Sequence, residues 1–336
     1  MQVTARRLSG FDECNADEWA SLLLQGETKS VFLTLPWQKA WWQTFGRGQL
    51  LLISIEMENK QVAIASLFAD SGMVFFVGSG GSDYLDFIGD TSQPQILRNI
   101  LEMARDCTEN FLGFRFYHVP DGSKTGQRLA QVAKEMEFDC FDEGELPAPR
   151  LRFSDWPPSE RPPAEKKSLV RHDRSLRSKG SFQIRHLQRV EDICPFLSTF
   201  FEQHIARWST TPYPSLFLDP LQRHYYTCLT NLAAASGCLR FTSVQVDDQP
   251  VAFHFGTCFD GTFLWYKPSF DVNWAAYSPG EVLLRHLILY AEEIGAHTFD
   301  FGLGDEAFKQ RFATEVRWVR NWGLYPRNLE KSGAAT

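Results

Sequence analysis

The alternation of apolar and polar positions divides the chain into short elements of both kinds. In the first half, apolar residues at helical spacing predict helices over 19–24, 36–45, 94–106 and 124–135. Period-two runs predict strands over 49–57 and 61–69, paired around Glu58-Asn59-Lys60, and further strands over 73–77 and 112–118. The second half repeats that order. It reads as a strand over 182–187, helices over 190–208 and 220–235, a hairpin of 239–246 with 251–258, and a strand over 262–267. A helix over 279–294, a strand over 299–302 and a last strand over 316–322 complete it. Such an order predicts an α/β (α+β) fold of two similar halves, each a mostly antiparallel mixed sheet covered by helices.

The stretch 155–164 holds four prolines, at Pro157, Pro158, Pro162 and Pro163. Neither a helix nor a central strand continues through it, so it is expected to be a stiff linker. This predicts domains over 1–154 and 165–328, with a tail over 329–336. The chain has 336 residues, 43% apolar and 14% aromatic, which suits two packed cores and excludes overall disorder. Its net charge of -7 gives no global attraction to nucleic acid or an anionic membrane. The seven cysteines form no CxxC pair and are expected as reduced thiols, and the eight histidines lack metal-ligand spacing, so no metal is expected. The first residues show no apolar run and no stretch is long enough to span a membrane, so a cytoplasmic protein is expected.

Candidate chemistry concentrates between Trp265 and Phe312. Ser278 reads as an N-cap, Pro279 as the first helical residue and Glu281 as the partner of a capping box. Leu283, Leu284, Leu287, Ile288, Ala291 and Ile294 define a buried face, and Gly295 a left-handed stop. Amides at that start, with Gly280 allowing close approach, would suit a phosphate; an ordinary capped helix fits the pattern equally, and Glu281 opposes an anion there. Asp300, Asp305, Glu306 and Lys309 cluster at the next strand end and its loop. Transfer of a group to an amine needs a base, for which Asp300 or Asp305 would serve; Asp300 would equally cap the following turn. Lys309 and Glu306 would hold substrate. Tyr266 would protonate a leaving group and His254 would shuttle protons, the alternative for both being a place in the core. The segment 166–189 holds eight Lys/Arg against the single acid Asp173, a local charge of +7 that leaves −14 for the rest of the chain. Arg171, Arg174 and Arg177 share one helix face there, as a phosphate clamp or as a solvated surface.

These pieces carry a resemblance. From Lys166 to Tyr325 the chain resembles the GNAT-superfamily acetyltransferase domain of cellulose-biosynthesis-associated CelD-type proteins, related to FemAB-type aminoacyl transferases. The matching residues are the basic helix from Lys166-Lys167 to Lys179-Gly180, Gln249-Pro250-Val251-Ala252, Phe270-Asp271, Ser278-Pro279-Gly280, Phe299-Asp300-Phe301-Gly302 and Gly304-Asp305-Glu306 with Phe308-Lys309. Pro36-Trp37-Gln38 and Ser82-Asp83-Tyr84 look like family positions in the first half. The Gln/Arg-x-x-Gly-x-Gly/Ala pyrophosphate signature of ordinary GNAT enzymes is absent, and Ser278-Pro279-Gly280 stands in its place. The resemblance implies two tandem GNAT-like domains and acyl transfer from acyl-CoA (acetyl-CoA) to an amine or hydroxyl. The implied acceptor is a small molecule, such as an amino sugar or another cell-envelope or exopolysaccharide precursor. A FemAB-like reaction would use aminoacyl-tRNA instead, the one case in which nucleic acid would be a partner. A non-catalytic protein keeping the fold is the remaining alternative.

Overall fold

The computed structural model describes residues 3–209 and 211–327; the expected tail over 329–336 lies outside them. The described residues form two compact units, one before Ala148 together with the segment from Arg317 on, and one from Ala148 to Val316.

The first unit runs β1 (Val3–Leu8), α1 (Ala16–Gln25), α2 (Leu35–Phe45), β2 (Gln49–Met57), β3 (Lys60–Asp70), β4 (Met73–Phe76), β5 (Ile88–Gly89), α3 (Pro94–Asp106), β6 (Gly113–Pro120), α4 (Thr125–Glu135) and β7 (Phe138–Arg152), the last passing into the second unit at Ala148. The second continues with α5 (Lys167–Arg177), β8 (Phe182–Leu187), α6 (Val190–Trp208), α7 (Pro220–Ala234), β9 (Leu239–Val246), β10 (Gln249–Phe259), β11 (Thr262–Phe270), α8 (Pro279–Glu293), β12 (Thr298–Asp300) and α9 (Ala307–Gln310), and β13 (Glu315–Pro326) returns to the first unit at Arg317. Within the first unit the strand order is β1-β2-β3-β4-β6-β13; within the second it is β8-β9-β10-β11-β12-β7. Neighbours are antiparallel in both, except for one parallel pair in each, β4 with β6 and β11 with β12.

The duplication extends to the turns. Glu58-Asn59 and Asp247-Asp248 take positive φ at both residues and close the first hairpin of each unit. Ser71-Gly72 and Asp260-Gly261 do the same for the second hairpin. Two left-handed residues match the twist of the flanking strands, and Asn, Asp and Gly tolerate that conformation best. Two helices precede each hairpin pair, and a third crosses between the parallel strands.

Two expectations change. The proline-rich stretch 155–164 lies inside the second unit rather than between the units. Pro163 and Ala164 are buried, and the Lys166 ammonium sits 4.9 Å from the Trp156 ring. Strand β7 is also absent from the sequence reading.

Each face of the second sheet has its own cover. α8 packs Val282, Leu283, Leu287, Ile288 and Ala291 against Phe263, Trp265 and Phe299, and α5 adds Leu169 and Leu176. On the opposite face Phe200, Phe217 and Tyr226 of the α6–α7 layer meet Phe241 and Phe255. Alternate residues of β11 therefore serve opposite cores.

Candidate active site at the parallel crossing of the second unit

β11 and β12 pair in parallel only through Thr262–Thr298, Phe263–Phe299 and Leu264–Asp300. Beyond that point β11 continues to Phe270 while the chain after Asp300 leaves the sheet. Strand ends of this kind collect loops and helix starts. The residues singled out in the sequence cluster along this crossing, but they hold different places in it.

Asp300 is 1% exposed, and its carboxylate pairs with the Arg150 guanidinium at 2.8 Å and accepts the Gly302 N–H at 2.8 Å. A buried, paired carboxylate closing its own turn is a structural anchor, which corrects the expectation of a base here. His254 is wholly buried between Phe263 and Trp265, and its Nε2 accepts the Tyr266 N–H at 3.2 Å. Burial, and secondarily the charge of His186, pushes its pKa down to about 3. It is a neutral core histidine, out of reach of solvent, and not a proton shuttle.

The loop after β12 is closed by Lys309. Its ammonium is nearly buried, donates to the Leu303 carbonyl at 2.6 Å and pairs with Glu306 at 2.7 Å. Gly302 and Gly304 carry φ of 69° and 118°, and a Cβ at position 304 would stand 2.4 Å from a Glu306 carboxylate oxygen. Asp305 is exposed at the crest of this loop. Tyr266 lies on β11 past the parallel pairing, 8% exposed, its ring 6.2 Å from Tyr226 and under the Lys267 ammonium at 4.1 Å.

The start of α8 differs from the expected capping box. Ser278 is left-handed, with φ 53° and ψ 51°, and its side chain caps nothing. Its carbonyl takes the N–H groups of Glu281 and Val282 instead, at 3.0 and 3.2 Å. Pro279 has no N–H, so Gly280 supplies the first-turn amide that has no bond among the described residues. Beside it, a Cβ at position 280 would meet the Phe270 ring at 3.4 Å, and the Arg207 guanidinium covers that ring at 4.7 Å.

Glu281 faces α5. His172 Nδ1 lies 2.6 Å from one of its carboxylate oxygens, and Arg311 donates to the other at 3.1 Å and to Ser168 Oγ at 3.0 Å. Arg171 reaches His172 Nε2 at 3.3 Å, and the Lys179 ammonium sits 4.6 Å from the Tyr277 ring. Arg171 and Arg174 are exposed, whereas Arg177 is committed to Asp173 at 2.9 Å. Asp173 also meets His286 of α8 at 2.6 Å, and these partners hold its pKa down against the opposing effect of burial. Sequence reasoning passed over His172, Arg311 and Arg150, because each acts on a carboxylate far away along the chain.

Among the described residues there is no cluster of three potential metal ligands, and no helix is long and apolar enough to cross a membrane.

No curated protein matches the chain. Solved structures do. FemX shares 11% identity over 96% of this chain and 97% of its own, with a TM-score of 0.66. The C-terminal domain of a putative lysylphosphatidylglycerol synthetase from Agrobacterium fabrum shares 13% over 94% and 92%, with a TM-score of 0.57. A tandem GNAT protein from the clavulanic acid biosynthesis pathway shares 11% over 97% and 99%, with a TM-score of 0.52. At such identities the likeness is one of fold. The sequence of residues 164–310 itself matches the family described as acetyltransferase (GNAT) domain. The second unit thus carries a GNAT-type acetyltransferase domain, and the chain is a transferase built on the tandem GNAT fold.

Proposed function

We propose that this protein moves an acetyl or longer acyl group from acyl-CoA to an amine or hydroxyl of a small acceptor in the cytoplasm. The acceptor class we favour is an amino sugar or another cell-envelope or exopolysaccharide precursor, as the CelD-type resemblance implies. The observation that carries the reading is the α8 start: one unbonded amide at Gly280, in a first turn whose Glu281 faces α5, the helix that carries the exposed cations Arg171 and Arg174. This combination suits the phosphates of the donor.

The thioester would then lie along β11 toward the Gly302–Lys309 loop. The acceptor nitrogen attacks the thioester carbonyl, the carbon–sulfur bond breaks, and the amine proton leaves to a base. Asp305, exposed in that loop, would act as the base, directly or through water, with Asp300 fixing the turn beside it. Tyr266 would return a proton to the departing thiolate. Lys309 and Glu306 would shape the loop that holds the reacting groups, and the main contribution to rate would be positioning.

A second reading is favoured by the likeness to FemX: an aminoacyl-tRNA donor, with the basic face of α5 along its phosphates. Its signature would be strongly salt-dependent binding of RNA.

Calorimetric titration with acetyl-CoA, repeated on Gly280→Glu, tests the first reading. The expected result is micromolar binding by the native protein and its loss in the variant, where a carboxylate enters the phosphate position. No binding of any acyl-CoA by the native protein overturns it.

A further inference from the structure

The helix start that would meet the donor carries a carboxylate in its own first turn, and two side chains from elsewhere in the unit grip that carboxylate by both oxygens. His172 on α5 takes one and Arg311, just after α9, takes the other. Left alone, Glu281 has two nearer choices. It would turn back on the Ser278 backbone as a capping box, as the Ser-Pro-Gly-Glu spacing leads one to expect. Or it would stand beside the Gly280 amide and repel any phosphate there, since a negative charge in the first turn occupies the place an anionic ligand would take. Neither happens. Ser278 is left-handed with its side chain off the helix, and Glu281 is drawn toward α5.

We propose that His172 and Arg311 are positioning residues that hold Glu281 away from the Gly280 amide and so keep the donor site open. The inference rests on the donor reading above. Arg311 is anchored in turn by Ser168 Oγ, and the second ring nitrogen of His172 meets Arg171. The carboxylate therefore faces Arg311 and the His172 ring, with Arg171 one step behind.

Helix α5 has a second tie to α8, the Asp173–His286 pair at 2.6 Å, flanked by Arg177 at 2.9 Å and Arg285 at 3.8 Å. That pair seats the helix without touching the first turn of α8. It supplies a control: loss of the His286 tie loosens α5 but leaves Glu281 in its grip.

The experiment measures acetyl-CoA affinity and the KM and kcat of transfer for His172→Ala, Glu281→Gln, the double variant, and His286→Ala. His172→Ala is expected to weaken donor binding about five- to tenfold, the effect of one charge at a helix terminus, through KM rather than kcat. Glu281→Gln should bind at least as tightly as the native protein, and the double variant should recover native affinity, because His172 has nothing left to restrain. His286→Ala should lower the unfolding midpoint while affinity stays native. Failure of Glu281→Gln to rescue His172→Ala, or equal loss of affinity in His286→Ala, overturns the positioning role. Failure of the native protein itself to bind acyl-CoA is a separate outcome and overturns the donor reading beneath it.

Discussion

Between its two parallel strands, the first unit threads residues 77–93 from β4 to α3, whereas the second passes from β11 to α8 through residues 271–278 alone. The longer connection fills the space where β4 and β6 part after Phe75 and Arg115. Phe76, Phe87 and Phe116 pack there with centroids 4.6–5.5 Å apart. The loop is tied down on several sides. Trp37 Nε1 donates to Ser82 Oγ at 3.2 Å, and Gln38 donates to the Val77 carbonyl at 3.2 Å. His118 holds the Ser82 carbonyl through its ring at 2.8 Å while sitting at φ 58°, a strained value for a non-glycine residue. Asp86, wholly buried, accepts from Thr28 at 2.6 Å, Thr125 at 2.7 Å and the Phe87 N–H at 2.8 Å. The second crossing has no such plug; its helix start is flanked by cations. One backbone construction has been used twice, once closed by its own loop and once bordered by groups suited to an anion. A duplicated fold can therefore place chemistry in one copy through the length and polarity of one connection.

The strongest challenge to this contrast is Lys309→Met. Under the proposed function the loop it closes shapes the reacting site, so turnover with acetyl-CoA should fall about a hundredfold. Stability should fall as well, by roughly 1–2 kcal/mol, as the Leu303 carbonyl loses its donor and half-exposed Glu306 its partner. Native turnover in a variant that remains folded would remove the second crossing as the seat of the chemistry.

The next effect separates the units by acidity. In the second unit, burial holds His204 and His254 down to about 3 and His186 to about 4, the last also stacked on Tyr290 at 3.8 Å. Each is depressed from 6.5, so between 6.5 and its folded value the unfolded chain binds the extra proton and stability falls as pH falls. The cost is on the order of a few kcal/mol per imidazole. The buried carboxylate of the first unit has the opposite sign. Burial raises the Asp86 pKa above 3.8, against the pull of Thr28 and its other partners, so its contribution favours the fold at the acid end and declines as pH rises. Hydrogen exchange followed from pH 7 to 4 should show β9 and β10 losing protection before β2 and β3. Loss of protection in the reverse order would count against this assignment.

Much of this architecture is written locally. Left-handed pairs such as Asp247-Asp248 and a proline at the first helical turn mark hairpins and helix starts with no knowledge of the rest of the chain. β7 carries no such mark. Its first part is exposed and acidic, and it holds Pro147 and Pro149, which argues against a strand within any short window. Its partners arrive only with the far end of the chain: Arg320 pairs with Asp142 and with Glu145, and Tyr325 bonds Glu143. The site divides in the same way. Residue types at the end of β12 were legible, because a charged loop after a strand is a local pattern. That Asp300 belongs to Arg150 and Glu281 to His172 was not, because folding alone makes those pairs neighbours. The capping-box spacing at Ser278 was a true local signal outcompeted by a tertiary ion pair.

A further prediction, whose effect falls on stability alone, tests whether the first crossing is a closed structural copy. Asp86 accepts three hydrogen bonds in a place without a cation among those partners, so its worth lies in the acceptors rather than in its charge. Asp86→Ala removes all three and leaves two hydroxyls and one amide unpaired, which should cost about 2–3 kcal/mol in denaturant unfolding. Asp86→Asn keeps the shape and one acceptor oxygen, and the hydroxyls of Thr28 and Thr125 can rotate to accept from the new amide. Its cost should stay near 1 kcal/mol, and it should abolish the decline in stability with rising pH that the buried carboxylate contributes. Acetyl-CoA affinity should be native in both variants, since these partners of Asp86 all lie in the first unit. If Asp86→Asn weakens donor binding, the first crossing is not merely a packed copy of the second, and the division of labour between the units fails.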